Sequence, residues 1–201
     1  MQRQRLATTT ALVITLAAAG CDDGRSACDD ALVGEREEQP VLELVTLLGD
    51  SALPLSDGGD CPLVLAPQGG HIVPVAARAS NLAAGQVQLT GWLTDPTSGQ
   101  VLGLESRPAV LVDGGDGWAV PERPDSLASF ANIAACPSLL PRDVHDQPWL
   151  LELRVEDCAG RSVESQVTVT PRCSGDHAAF CACECDADYR LGDPCPAAIP
   201  L

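Results

Sequence analysis

Cysteine is the residue type in this chain with the greatest capacity for chemistry. Ten cysteines occur in 201 residues, and Cys181, Cys183 and Cys185 follow one another at every second position. Thiols at this density either form disulfides in an oxidising compartment or bind soft metal ions such as zinc and copper. A disulfide between residues i and i+2 has poor geometry, so this spacing predicts a separate partner for each of the three thiols.

The C-terminal tail offers few partners for these thiols. Beyond the three, it contains only Cys173 and Cys195, so at least one bond should reach outside the tail, to Cys61, Cys136 or Cys158. The disulfide candidates are therefore Cys61, Cys136, Cys158, Cys173, Cys181, Cys183, Cys185 and Cys195. The alternative is a metal site built from the C-x-C-x-C run and His177, although this spacing is not the C-x₂-C of zinc fingers.

Two acidic loops could bind a cation. Residues 57–60 and 113–116 both read Asp-Gly-Gly-Asp, which could offer carboxylate and backbone oxygens to Ca²⁺. Glycine at positive φ and aspartate bonded to nearby backbone are equally the marks of tight turns, which we favour. His145 stands between Asp143 and Asp146, while His71 precedes a predicted strand; neither arrangement is specific for a metal. We expect no metal ion and no cofactor.

No pattern of a catalytic site is present. The sequence lacks G-x-S-x-G, H-E-x-x-H and the phosphate-binding loop, so we expect no catalytic residues and no enzymatic activity. An enzyme with a site assembled from scattered residues is the least favoured alternative. Trp92 falls on the polar side of its predicted strand and is the candidate for a binding surface, because exposed tryptophan is common at interfaces. Trp149 is expected to cap the core.

The N-terminus reads as an export signal. A basic start, residues 1–5, precedes an apolar run over 6–19 that is too short to span a bilayer. Ala18-Ala19-Gly20-Cys21 resembles the lipobox of bacterial lipoproteins, with Ala18 where leucine is usual. The resemblance implies that Cys21 is diacylated and becomes the new N-terminus. The alternative is ordinary signal cleavage within 17–19, which would release a soluble protein.

Acylation of Cys21 would leave an odd number of other cysteines. One thiol would then stay free or pair between chains, and Cys28 is the expected odd one; without acylation, all ten could form bridges. The formal net charge of −16 excludes extensive contact with nucleic acid, whose phosphates need clustered basic side chains. The same charge disfavours binding to an anionic membrane surface, so the lipid is the expected hold on the membrane.

The elements that must position these residues are mostly short strands. Apolar runs bounded by Gly, Pro and Asp predict strands over 41–48, 62–66, 72–79, 86–94, 100–104 and 109–112. Residues 149–156 and 162–170 alternate apolar and polar side chains on either side of a glycine-containing turn, which predicts a hairpin with one buried face. The one helix candidate, 126–135, is expected to form a short helix or an irregular connection.

That hairpin resembles the last two strands of bacterial immunoglobulin-like sandwich domains. The segment Leu63-Val-Leu-Ala-Pro-Gln-Gly-Gly-His71, with the order of lipobox, acidic tether, closing hairpin and terminal cysteines, resembles myxobacterial-type secreted lipoproteins. Cys181-Ala-Cys183 with Tyr189 and Cys195 partly resembles the second half of an EGF-like module. The first two resemblances imply an all-β fold and an envelope location, and none implies an activity.

The expected organisation has four parts. Residues 1–20 form the signal peptide, 21–39 an acidic flexible tether, 40–171 an immunoglobulin-like antiparallel β-sandwich and 172–201 a cysteine-rich tail. The expected protein is lipid-anchored in the cell envelope, in the inner or the outer membrane, and works by adhesion, assembly or binding of a protein or another envelope partner. The rival is a cation- or metal-binding lipoprotein that uses the Asp-Gly-Gly-Asp loops or the cysteine tail.

Overall fold

A computed structural model describes residues 31–196, in which β-strands are the main regular structure. The strands are β1 (Leu32–Val33), β2 (Val41–Leu48), β3 (Ser51–Pro54), β4 (Gly59–Pro62), β5 (Val64–Leu65), β6 (His71–Ser80), β7 (Leu82–Ala83), β8 (Gly85–Thr94), β9 (Val101–Asp113), β10 (Ala119–Pro121), β11 (Ala131–Cys136), β12 (Trp149–Asp157) and β13 (Ser162–Arg172). Helix α1 (Ala178–Glu184) follows two 3₁₀ turns, Leu127–Ser129 and Gly175–His177.

The strands form two packed layers. In one layer, the first half of β6 pairs with β5 and β11, and its second half pairs with β2. In the other, the strand order is β4-β13-β12-β8-β9, where β4 alone runs parallel to its neighbour. The short β10 pairs with both β9 and β6 and joins the layers along one edge. The fold is all-β, with the strand pairing of an immunoglobulin-like sandwich.

Alternation along the strands builds the core between the layers. In β12, Leu151, Leu153 and Val155 are fully buried, while the residues between them point outward. The predicted hairpin is confirmed: β12 pairs with β13 from Trp149 opposite Val169 to Glu156 opposite Ser162. Burial of one face by period-two apolar side chains is the main favourable contribution to this sandwich.

Most predicted strands are present with small shifts of boundary. The segments predicted over 100–104 and 109–112 are one strand, β9, which pairs with β8 along nearly its whole length. The helix candidate over 126–135 is wrong beyond its first turn. Ser126 caps the 3₁₀ turn Leu127–Ser129, and the rest is β11 in antiparallel pairing with β6. Pairing and burial of Ile133 outweigh the high intrinsic helix propensity of the alanines, because tertiary contacts override local propensity.

The predicted tether differs from the structure over its second half. Leu32 and Val33 pair with β7, and Val33 is buried against the core. Asn81, at a φ of 60°, accepts a hydrogen bond from the Glu35 amide and donates one to the Gln39 carbonyl. Burial of Val33 and the backbone hydrogen bonds to Asn81 and β7 therefore hold residues 31–39 on the sandwich despite their acidic composition. The earlier part of the tether lies outside the described residues.

Two glycines mark the close approach of the layers. A Cβ on Gly91 of β8 would lie 3.0 Å from Cγ1 of Val75 and 3.2 Å from Cδ1 of Ile133. A Cβ on Gly103 of β9 would overlap the backbone carbonyl oxygen of Ala134 in β11. The methyl groups facing Gly91 can rotate aside, whereas the carbonyl facing Gly103 is held by the pairing of β11.

We expect Gly103→Ala to lower the free energy of unfolding by about 2–3 kcal/mol, because the new methyl group must displace backbone. Gly91→Ala serves as the matched control and should cost about 1 kcal/mol or less, since its neighbours are side-chain ends. Urea unfolding followed by circular dichroism measures both. Equal costs at the two positions would contradict this account of how β9 approaches β11.

Candidate functional site

The cysteine-rich tail is fastened to the sandwich by α1. The three thiols in alternate positions have three separate partners, as their spacing predicts: Cys181 bonds Cys173, Cys183 bonds Cys195, and Cys185 bonds Cys136. The last bridge joins the tail to the end of β11 across a sequence separation of 49 residues. The expected link between tail and sandwich therefore exists, and Cys136 supplies it.

The remaining candidate cysteines divide between paired and unpaired. Cys158, in the β12–β13 turn, is disulfide-bonded. Cys61 does not take the disulfide role expected of it: among the described residues it is a free thiol, 1% exposed in β4. Burial raises the pKa of the Cys61 thiol to about 12, so it stays protonated and unreactive at neutral pH. The lipidation candidate Cys21 and the expected odd cysteine Cys28 lie outside the described residues.

A buried histidine lies beside the tail. His71 begins β6 directly opposite Cys136, and its Nδ1 lies 3.0 Å from Oε2 of Glu184 in α1. Burial lowers the pKa of His71, and the neighbouring Glu184 carboxylate acts against that effect. A neutral ring that donates its Nδ1 proton to Glu184 leaves Nε2 with a bare lone pair. That Nε2 is buried and has no hydrogen-bond partner in the described part of the chain.

The histidine and two sulfurs converge. The Sγ atoms of Cys181 and Cys185 are 4.0 Å apart, and a ring nitrogen of His71 lies within 4.8 Å of both. The ring of Phe180 covers one side of His71, with centroids 5.7 Å apart. A cluster of imidazole and sulfur enclosed in this way is the arrangement that holds a soft metal ion, once the sulfurs are thiolates.

The metal site considered as an alternative from the sequence shares two cysteines with this cluster and differs in its other ligands. It combined Cys181, Cys183 and Cys185 with His177, but Cys183 faces its own partner, Cys195, instead of the cluster. His71 takes part although it is far away in sequence, because β6 brings it beside Cys136. No local pattern marks His71, and only the pairing of β6 with β11 could have predicted its place.

The carboxylates of both Asp-Gly-Gly-Asp loops bind other groups of the protein. Asp57 accepts a hydrogen bond from the Thr168 amide, and Asp60 forms an ion pair of 2.8 Å with Arg172. In the second loop, Asp113 caps the Gly115 amide and Asp116 pairs with Arg78. These contacts favour the interpretation of both loops as turns.

The polar side chains of the loop around His145 also have partners within the protein. Nε2 of His145 lies 2.9 Å from the carboxylate of Asp146, which also pairs with Arg172. The Asp143 carboxylate accepts a hydrogen bond from the Ala187 amide and so holds the tail against this loop. The two aspartates and His145 have structural roles that account for their presence.

Trp92 lies on the outer face of the β8-β12 layer, as its place on the polar side of the strand predicts. It is half-buried in a shallow depression of about 270 Å³ whose other lining residues are Gln88, Thr90, Arg154, Glu156 and Glu164. In register, Trp92 stands between Leu104 of β9, which is 62% exposed, and Glu152 of β12. The other two tryptophans differ: Trp149 is fully buried, and Trp118 stacks under Arg78.

Within residues 31–196, no helix is long and apolar enough to cross a membrane. Neither protein-family models nor curated proteins gave a match to this chain.

Proposed function

We propose that this protein is an exported, lipid-anchored component of the bacterial cell envelope that binds a partner and catalyses no reaction. The lipobox-like Ala18-Ala19-Gly20-Cys21 supports the anchor. The disulfides of the tail support an oxidising compartment, where such bonds form and persist. The acidic surface argues for a protein or another envelope molecule as partner, and against nucleic acid.

The observation that carries the binding role is the Trp92 face. A half-buried tryptophan beside exposed Leu104 offers a flat apolar contact, and Arg154 and Glu156 supply charges of both signs around it. Interfaces combine these features: an aromatic centre with a polar rim. The four strands that carry this face are fixed by continuous pairing, so the surface is rigid before any partner binds.

Acylation is tested on the mature protein extracted from membranes. We expect its intact mass to match a chain beginning at Cys21 plus two or three acyl chains, and Cys21→Ala to move the protein into the soluble fraction. Peptide mapping of the same oxidised material should recover Cys158 in a disulfide-linked peptide and Cys61 as a free thiol. A retained Met1, or a mature mass without lipid, would exclude the anchor.

Trp92→Ala tests the binding face. We expect the oxidised domain without its signal to co-sediment with purified envelopes of the producing bacterium, and the variant to bind at least tenfold more weakly. Trp118→Ala is the matched control, because Trp118 is also half-buried but lies away from this face, under Arg78. Equal loss in both variants, or none in either, would contradict a binding role for Trp92.

Cation binding is the second candidate function. The observation that favours it is the buried group of His71, Cys181 and Cys185, since the acidic loops have internal partners for their carboxylates.

A further inference from the structure

We propose that His71, Cys181 and Cys185 become a Zn²⁺ site when the two disulfides that hold these cysteines are reduced. The inference rests on the second candidate function and gives it a defined ligand set. It is independent of the lipid anchor and of Trp92, both of which are tested on the oxidised protein.

The first support is convergence of ligands from separate elements. His71 is the first residue of β6, whereas Cys181 lies in α1 and Cys185 caps the C-terminal end of that helix, four residues later. Their ligand atoms already lie within 4.8 Å of one another, so little movement is needed to surround an ion. His177 stands one turn before Cys181, and both its ring nitrogens are buried without a hydrogen-bond partner among the described residues. It is the candidate for a fourth ligand.

The second support is the hydrogen bonding of His71, in which one ring nitrogen has a carboxylate partner and the other has none among the described residues. A histidine that binds a metal through one nitrogen usually donates the proton of the other to a carboxylate, which fixes the ring and raises its basicity. Glu184 supplies this carboxylate at 3.0 Å from Nδ1. The opposite nitrogen, Nε2, is buried and unpartnered in a residue only 2% exposed, which is costly for a polar atom unless it gains a ligand.

The chemistry balances with an external dithiol as reductant. For each bridge, Cys136–Cys185 and Cys173–Cys181, two electrons and two protons pass from the dithiol to the sulfurs. The dithiol becomes a disulfide and the bridge becomes two thiols. Zn²⁺ then displaces the protons of Cys181 and Cys185, and its two positive charges balance the two thiolates. The oxidised protein has no thiolate at this place, so the site exists only in the reduced state.

The test uses Cys136→Ser with Cys173→Ser, which frees Cys181 and Cys185, kept reduced with a phosphine. We expect one Zn²⁺ per chain in competition with a chromophoric chelator, and thiolate-to-metal absorption when Co²⁺ replaces Zn²⁺. Adding His71→Gln should weaken binding at least tenfold. Adding Glu184→Gln should weaken it about 10- to 100-fold without changing the Co²⁺ spectrum, as expected for a positioning residue.

The control is Cys183→Ser with Cys195→Ser, assayed without the phosphine, which removes the remaining tail bridge and leaves the cluster oxidised; it should bind no Zn²⁺. If the freed variant is unfolded without metal, Zn²⁺ must restore the near-ultraviolet signal of buried Trp149. In the reduced wild-type chain, Zn²⁺ must protect Cys181 and Cys185 from alkylation more than Cys183 and Cys195. Failure of this restoration, uniform protection, or tight binding that survives His71→Gln would overturn the proposal.

Discussion

Trp149→Ala should lower the free energy of unfolding by about 3–5 kcal/mol. Trp149 is the first residue of β12, is fully buried and belongs to the central cluster of apolar side chains. The guanidinium of Arg142 lies 4.8 Å from its ring and is itself paired with Asp95. Truncation would therefore leave a large cavity and also remove the surface on which Arg142 rests. Urea unfolding followed by far-ultraviolet circular dichroism measures the loss.

The Trp149→Phe variant distinguishes the loss of apolar packing from the cost of burying the indole N–H group. The indole Nε1 is buried without a hydrogen-bond partner in the described part of the chain, so phenylalanine removes an unsatisfied donor while it keeps most of the apolar volume. We expect a cost of about 1–2 kcal/mol, well below that of alanine. Trp118→Ala, at a half-buried position, should cost less than about 1 kcal/mol. A Trp149→Ala cost as small as that of Trp118→Ala would show that β12 does not anchor the core at this end.

The regular elements were predictable because their signal is local. In the β12–β13 hairpin, period-two alternation and a turn closed by Asp157 define both strands without reference to the rest of the chain. The strand β11 was not predictable in the same way. Its alanines have a high intrinsic helix propensity, and only the partner strand β6, distant in sequence, gives this segment an extended conformation.

The sequence predicted that the cysteines of the tail form disulfides, but not which residues they contact. Spacing alone predicts separate partners for Cys181, Cys183 and Cys185, because a disulfide between residues two positions apart has poor geometry. Which cysteine each one meets depends on where α1 packs, and the sequence carries no local sign of that. His71 joins the cluster for the same reason: its position is set by the pairing of β6 with β11. The free thiol of Cys61, in β4 beside β13, likewise has no sign in the local sequence.

Replacing both Cys136 and Cys185 by serine should destabilise the sandwich by about 4 kcal/mol, because this bridge closes a loop of 49 residues in the unfolded chain. One end lies in β11, inside the core, and the other at the end of α1, so the bond also holds α1 against β6. Without it, His71 and Glu184 lose the packing that keeps them together. Differential scanning calorimetry of the oxidised proteins measures the shift in Tm.

The matched control is again Cys183→Ser with Cys195→Ser, which opens a loop of 12 residues. Both of its cysteines follow the last strand, so the bridge connects the tail only to itself. The same loop-closure argument gives about 3 kcal/mol for a loop of this length, so we expect its removal to lower Tm less than removal of the bridge that closes 49 residues. If the two pairs of substitutions lowered Tm equally, the tail would act through general cross-linking, and the particular bridge from α1 to β11 would carry no special part of the stability.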